Sequence, residues 1–197
     1  MSWIKTIGYE EATGKLKRLY DKIVGPNNAL DNVMSIHSLR PHTLEGHMSL
    51  YKSTIHHSSN AFPKWYLELL GTYVSRLNQC EYCVTHHSVG IKRNLNDNAK
   101  FELLSTALDR DSLETVLEGK MKAGVGYAKM LTQNHTAIDE MYTDGLRAAG
   151  MDDGEILEIN QVVCYFNYVN RMVVSLGVKL EDDNIGLSPS GDDWSHK

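Results

Sequence analysis

Apolar residues recur at every third or fourth position along most of the chain, and this periodicity is the feature that most limits the fold. In "EEATGKLKRLYDKIV", one face of a helix carries Leu16, Leu19, Tyr20 and Ile23. "PKWYLELLGTYVSRLNQ" carries a broader apolar face, and Pro63 suits the start of that helix. No segment alternates apolar and polar residues between hairpin turns. The sequence therefore predicts an all-α protein.

The same periodicity continues to about residue 180, and the end of the chain differs from it. Helical patterns reappear in "RPHTLEGHMSLY", "DNAKFELLSTAL", "GKMKAGVGYAKML" and "TAIDEMYTDGLRAAG", the last closed by Gly150. "GEILEINQVVCYFNYVNRMVVSLGV" predicts one long helix or two abutting ones. Residues 181–197 are polar and rich in turn-forming residues. We therefore expect a single helical domain over residues 1–180 and a polar tail over residues 181–197.

A faint internal repeat lies within this pattern. Glu68 and Glu155 are 87 positions apart, and the same offset aligns Cys80 with Asn167 and Cys83 with Asn170. The segment around the cysteines thus has a counterpart in the last helical segment. The offset predicts a duplicated helical core unit in which only the first copy carries the thiols.

Composition excludes several classes of protein. The net charge is −5 and the chain has no basic stripe, so nucleic acid and anionic membranes are not expected as partners. No apolar run approaches the roughly 20 residues that span a bilayer, and the first residues lack the apolar core of a signal peptide. Three cysteines do not make a secreted disulfide framework. We expect a soluble cytoplasmic protein.

The stretch "NQCEYCVTHHSVG" concentrates reactive side chains. If it is helical, Cys83 and His87 are one turn apart, and Cys80 lies on the same stripe, whereas His86 points elsewhere. A C-x-x-C at the start of a helix favours a thiolate, because free N–H groups and the helix dipole stabilise the negative charge. A nearby imidazole can accept a proton at neutral pH. This pattern indicates dithiol–disulfide redox chemistry.

Glu68 joins this group only if the chain turns sharply. In one continuous helix Glu68 would lie about 18 Å from Cys80. A turn near Asn78 and Gln79 would instead create an antiparallel pair of helices and bring Glu68 level with His87. Glu68 is then either a solvated residue or a buried acid with a partner.

The other histidines and the third cysteine receive structural interpretations. C-x-x-C followed by His could supply three zinc ligands, but no second C-x-x-C and no suitably spaced fourth ligand is evident. Cys164 lies in the apolar run "VVCYF" and is expected to be an inert buried thiol. Asn167 and Asn170 are expected to cap or bridge helices. Five further histidines are expected to be solvated or structural: His37, His42, His47, His56 and His57.

At these residues the chain resembles a known family. The spacing E-x11-C-x2-C-x3-H is similar to the signature of the alkylhydroperoxidase D / carboxymuconolactone decarboxylase superfamily, most closely its branch of peroxidase-related proteins. "YEEATGKLKRLYD", "RPHTLEGHMSLY", "LRAAGMDDGEIL" and "YFNYVNRMVVSLGV" extend the resemblance over roughly residues 5–180. The residues that fill the signature are Glu68, Cys80, Cys83 and His87.

The resemblance implies a fold, an assembly and a set of roles. It implies an all-helical fold, trimers or hexamers, and thiol-dependent reduction of hydroperoxides without a metal or organic cofactor. Cys83 would attack the peroxide and Cys80 would close the disulfide. His87 would pass protons, and Glu68 would orient His87. The chain departs from alkylhydroperoxidase D at Tyr82, where that protein carries a histidine between its cysteines.

These expectations define one main hypothesis and two alternatives. The main hypothesis is a hydroperoxide reductase whose disulfide is reduced by a dithiol or a lipoyl-type protein. The first alternative is a non-catalytic redox sensor or stress-response protein that uses the same disulfide to change its assembly or its partners. The second is a small zinc-binding scaffold. The cysteine pair argues against lactone decarboxylation, because the decarboxylase branch of the superfamily lacks it.

Overall fold

A computed structural model describes residues 2–25, 28–182 and 185. Within these residues the regular structure is helical and contains no strand, so the prediction of an all-α fold is confirmed. Short π-helical and 3₁₀ turns connect some of the helices. The α-helices are Gly14–Tyr20 (α1), Asn32–Ser35 (α2), Pro41–Tyr51 (α3), Lys64–Leu77 (α4), Glu81–Leu95 (α5), Asn98–Asp109 (α6), Gly119–Gln133 (α7), Glu140–Ala148 (α8) and Asp153–Ser175 (α9).

The described chain divides into two compact units. The first unit comprises the residues up to Ser59 together with those from Arg171 onward, and the second unit comprises Asn60–Asn170. All four residues of the motif lie in the second unit. The single domain over residues 1–180 stays a prediction. Most of the expected tail over residues 181–197 lies outside the described residues.

The first unit contains α1 to α3. Leu16 and Tyr20 form the buried side of α1, as the spacing predicted, and Pro41 is the first residue of α3. His37 and His47 are buried, with ring centroids 4.9 Å apart. Burial lowers the pKa of His47 to about 3, and the neighbouring His37 acts in the same direction. The neutral rings therefore pack as part of this unit's interior, in line with the structural interpretation.

The second unit is built around α4. Every residue of α4 from position 66 to 75 is buried, so this helix is enclosed on all its faces rather than on one stripe. Gly124 of α7 lets the two helices approach closely, because a Cβ there would overlap the hydroxyl group of Tyr66. That hydroxyl group donates a hydrogen bond of 2.7 Å to the carbonyl oxygen of Met121. Glu68, the acidic residue of α4, is consequently buried in the interior of this unit.

A sharp turn separates α4 from α5. The backbone N–H of Cys80 donates to the carbonyl of Ser75 at 2.8 Å, and that of Gln79 donates to Arg76 at 3.0 Å. These two bonds form the Schellman motif that ends many helices. Gln79 occupies the left-handed position of the motif, with φ of 56°, where glycine is the usual residue. The structure thus contains the turn near Asn78 and Gln79 on which the pairing of Glu68 with His87 was conditional.

The two segments related by the 87-residue offset have different local structures. The first forms α4, the turn and α5, whereas its counterpart lies within the unbroken helix Asp153–Ser175. The turn depends on the left-handed residue Gln79, and the aligned position, Phe166, is in the middle of α9. The offset therefore relates a helical hairpin to a continuous helix.

The expectation for Cys164 is wrong. Val163 and Phe166 point into the second unit and are buried, but Cys164 lies on the opposite side of α9 and is exposed. An apolar run of one helix contains residues of both faces, so the run alone does not fix the side on which a thiol lies.

No helix in the described ranges is both long and apolar enough to cross a membrane.

Candidate active site

The two cysteines of the motif stand at the start of α5. Cys80 is the N-cap residue and has non-helical backbone angles, and Cys83 lies in the first turn. Both are free thiols in the described structure. Their exposed fractions are only 1% and 3%, so both sulfurs are enclosed by protein. The Schellman turn before α5 determines this arrangement, because it reverses the chain immediately before Cys80.

The surroundings shift the pKa values of the two thiols in opposite directions. A hydrogen bond from the side chain of Cys83 lowers the pKa of Cys80, and the backbone N–H of Cys83 and the side chain of Asn170 act in the same direction. Burial and the negative charge of Glu81 oppose them. The pKa of Cys83 is raised well above its usual value by its hydrogen bond to Cys80, by burial and by the charge of Cys80.

These shifts describe one shared ionisation. Two interacting thiols lose their first proton as a pair rather than independently. The N-cap position favours a charge on Cys80, because the positive end of the α5 dipole lies there. Cys83 then acts as the donor. This order favours Cys80 as the first thiolate, whereas the family resemblance implies that Cys83 attacks the peroxide.

Glu68 and His87 form a second pair across the two helices. His87 Nδ1 and Glu68 Oε2 are 2.7 Å apart, and Glu68 is 1% exposed. The short turn makes α4 and α5 antiparallel and brings these residues level, as the spacing predicted. With Glu68 as a carboxylate, Nδ1–H donates the hydrogen bond, and Nε2 of the neutral ring becomes the basic nitrogen. The buried-acid interpretation of Glu68 therefore holds.

Two close contacts fix this pair. A Cβ at Gly90 would lie 2.6 Å from Cδ of Glu68, so only glycine leaves room for the carboxylate beside α5. The ring of Phe166 meets that of His87 edge to face, with centroids 4.6 Å apart. Gly71 on α4 makes space for Phe166, since a Cβ there would overlap the ring. These residues restrict the positions open to the imidazole.

Polar side chains of α9 reach the turn between α4 and α5. Asn78 Nδ2 donates to Oδ1 of Asn167 at 3.1 Å and to Oδ1 of Asn170 at 3.0 Å. Asn170 Nδ2 in turn donates to Ser75 Oγ at 3.0 Å. The expectation that these asparagines bridge helices is confirmed. Sequence reasoning gave Asn170 no role at the thiols, because no sequence signal shows that it lies beside them.

The remaining histidine of the stretch has a different neighbour. The ring of His86 stacks on that of Tyr82, with centroids 4.4 Å apart and planes 25° from parallel. The two residues are one turn apart on α5. Tyr82, which stands between the cysteines in sequence, is 5% exposed. Its ring therefore packs against His86, and the two flanking cysteines are free thiols.

The zinc interpretation lacks a ligand set. In the described part of the chain, the sulfurs of Cys80 and Cys83 and a ring nitrogen of His87 do not lie within 4.8 Å of one another. A tetrahedral zinc site needs its ligand atoms that close together. The structure instead places Cys80 next to Cys83 and joins Glu68 to His87 by a hydrogen bond. The roles of the four residues stay predictions.

Comparison with solved structures identifies the fold. A structure described as the alkylhydroperoxidase AhpD core, an uncharacterized peroxidase-related protein from Ralstonia eutropha JMP134, matches with a TM-score of 0.74 and 17% identity, covering 92% of this chain and 93% of that one. An uncharacterized peroxidase-related protein from Silicibacter sp. TM1040 matches with a TM-score of 0.68 and 20% identity, covering 85% and 83%. The expected alkylhydroperoxidase D-like fold is confirmed.

A protein described as a debrominase shares this fold as well. The debrominase Bmp8 matches with a TM-score of 0.65 and 15% identity, over 85% of each chain. No family model and no curated protein matches the sequence. At these identities the likeness establishes the fold, so the chemistry must be argued from the residues of this chain.

The contact between Gly90 and Glu68 generates a stability prediction. Gly90→Ala should lower the free energy of unfolding by about 1–3 kcal/mol, because the added methyl group displaces the carboxylate. Gly126→Ala on α7 is the matched control, since a Cβ there meets nothing within 4 Å, and it should be neutral or slightly stabilising. Urea denaturation measures both. Equal stability of the two variants would contradict the proposed packing of Glu68.

Proposed function

We propose that this protein is a dithiol oxidoreductase that reduces hydroperoxides with Cys80 and Cys83 and is itself re-reduced by a dithiol. The observation that carries the proposal is the pair of buried free thiols at the start of α5, where Cys83 lowers the pKa of Cys80 through its side chain and its backbone N–H. A thiolate is the form that attacks peroxides. Cys83 is the neighbouring thiol that can form the disulfide.

The proposed cycle has three balanced steps. The Cys80 thiolate attacks the nearer peroxide oxygen, the O–O bond breaks, and the leaving alkoxide takes a proton to become an alcohol. The resulting sulfenic acid condenses with the Cys83 thiol, which forms the disulfide and releases water. An external dithiol then exchanges with this disulfide and leaves as its own disulfide. Two electrons pass from the dithiol to the peroxide in each turnover.

His87 and Glu68 are proposed to handle the protons of this cycle. The bond from Nδ1 to Glu68 holds the ring in one orientation and makes Nε2 the basic nitrogen. The imidazole can take the thiol proton and return it to the leaving alkoxide. Glu68 acts only through His87, so it is a positioning residue. Loss of His87 should therefore affect the rate more than loss of Glu68.

The burial of the thiols limits the partners that can reach them. Both sulfurs are almost fully enclosed in the described chain, so a slender dithiol such as a lipoyl arm suits the site better than a dithiol held flat on a protein surface. The peroxidase-related neighbours support the choice of peroxide as substrate. A neighbour that is a debrominase makes a halogenated aromatic compound the appropriate second substrate to assay. The trimer or hexamer stays a prediction.

Steady-state turnover tests the proposed function. Purified protein with tert-butyl hydroperoxide and dihydrolipoamide should consume peroxide. Cys80→Ser and Cys83→Ser should abolish turnover, and His87→Ala should slow it by about 100-fold or more. Cys164→Ser is the matched control and should leave the rate unchanged, because Cys164 lies exposed on α9 away from the pair.

Three results would contradict this function. Peroxide consumption that persists after both cysteines are replaced would contradict the proposed mechanism. No consumption with any dithiol, together with a change in size-exclusion profile on oxidation, would favour the redox-sensor alternative. Consumption of a brominated aromatic compound but not of peroxide would assign the dithiol to another electrophile.

The order of ionisation makes a separate prediction about the two thiols. In a Cys164→Ser background, Cys83→Ser leaves Cys80 with a hydroxyl donor and the helix N-terminus, and Cys80→Ser leaves Cys83 in its buried position. Iodoacetamide at pH 7 should therefore modify Cys80 at least about tenfold faster than Cys83. A faster reaction of Cys83 would restore the order that the family resemblance implies. Mass spectrometry of the modified peptides measures both rates.

A further inference from the structure

Asn170 is a buried polar residue beside the thiols, and it belongs to a different helix. Its side chain is enclosed within the second unit, with 1% of the residue exposed. A carboxamide taken out of water is costly unless its donors and acceptors are hydrogen-bonded. The partners of Asn170 therefore explain why it is tolerated there.

Two of these partners anchor the carboxamide group. Oδ1 accepts a hydrogen bond from Asn78 Nδ2 at 3.0 Å, and Nδ2 donates one to Ser75 Oγ at 3.0 Å. Oδ1 is thus the accepting atom of Asn170, and Nδ2 is the donating atom. Since Nδ2 carries two N–H groups, a second donor remains after the bond to Ser75.

The anchor at Ser75 is itself tied to the cysteine turn. Ser75 Oγ donates to the carbonyl oxygen of Gly71 at 2.7 Å, and the carbonyl oxygen of Ser75 accepts from the N–H of Cys80 at 2.8 Å. Ser75 is fully buried. The carboxamide group of Asn170 is therefore held at a fixed position relative to the backbone that carries Cys80.

The side chain of Asn170 also lies next to the thiols, and its hydrogen-bonding effect lowers the pKa of both Cys80 and Cys83. Only a donor stabilises a thiolate, so an effect of this sign calls on the N–H of the carboxamide rather than on its oxygen. Asn170 acts in the same direction on both thiols, unlike the bond between them, which lowers one pKa and raises the other.

We propose that Asn170 is a thiolate-stabilising residue of the dithiol site, anchored by Asn78 and Ser75 and donating an N–H to the reacting sulfurs. The proposal deepens the function proposed above and rests on it for its place in a catalytic cycle. A carboxamide suits this role because it is neutral at all working pH values and donates without losing a proton. A carboxylate of the same shape would accept only and would repel the thiolate.

The isosteric variant separates this role from packing. Asn170→Asp keeps the shape of the side chain and replaces the donor by an acceptor. In a Cys164→Ser background, the rate of iodoacetamide modification against pH reports the ionisation of the pair. We expect the midpoint of that profile to move upward and the rate at pH 7 to fall about tenfold, which corresponds to a shift of about one pH unit. Circular dichroism checks that the fold is retained.

Two further variants keep the test decisive. Asn78→Ala, at a partly exposed position of the turn, removes the anchor at Oδ1 and should move the midpoint upward by a smaller amount. Asn160→Asp is the matched control on α9, since Asn160 Nδ2 donates to the hydroxyl group of Tyr127, and it should leave the midpoint unchanged. If Asn170→Asp does not fold, Asn170→Ser, which keeps one small donor, replaces it and should give an intermediate shift.

The outcome distinguishes this inference from the proposed function. The modification assay uses no peroxide, so an upward shift without any peroxide turnover by the parent protein would support the role of Asn170 and contradict the peroxidase. Peroxide turnover by the parent together with an unchanged midpoint in folded Asn170 variants would overturn the inference. An equal shift in Asn160→Asp would also overturn it, because the effect would then not depend on contact with sulfur.

Discussion

The left-handed turn at Gln79 is the constraint on which the site depends. It ends α4 in a Schellman motif and makes Cys80 the N-cap of α5. The same reversal makes α4 and α5 antiparallel, so that Glu68 meets His87 at 2.7 Å. One backbone feature thus brings together both pairs of the motif, Cys80 with Cys83 and Glu68 with His87. A non-glycine residue with positive φ is strained, and here the buried helices on either side hold it in place.

Burial determines how these pairs behave. A carboxylate at 1% exposure and two thiols at 1% and 3% exposure lie in a region where unpaired polar groups are costly. Each of these groups has a partner: His87 for Glu68, and the opposite cysteine and Asn170 for the thiols. In such surroundings a hydrogen bond has a large effect on proton affinity, because water does not compete with it. The packing inside the second unit therefore shifts the pKa values of the thiols more than the C-x-x-C spacing alone would.

Much of the fold could be predicted from the sequence, but the fine structure of the site could not. Helical periodicity gave the all-α class, and the motif spacing placed Glu68 level with His87 once a turn was assumed near Gln79. The side of α9 on which Cys164 lies was mistaken, because an apolar run does not reveal which face packs inward. Asn170 and Gly90 were not assigned to the site, since their proximity to Cys80 and Glu68 arises only from the packing of helices. The order of ionisation likewise depends on N-cap geometry rather than on residue order.

The most direct measurement is a single turnover of the reduced wild-type protein with one equivalent of tert-butyl hydroperoxide, followed by intact-mass analysis and peptide mapping. A dithiol that supplies both electrons should give one equivalent of tert-butanol, a mass loss of two hydrogens, and a linked peptide that joins Cys80 to Cys83. Cys164 should stay reduced. Alcohol release without the Cys80–Cys83 link, or a disulfide through Cys164, would contradict the mechanism, as would unreacted peroxide.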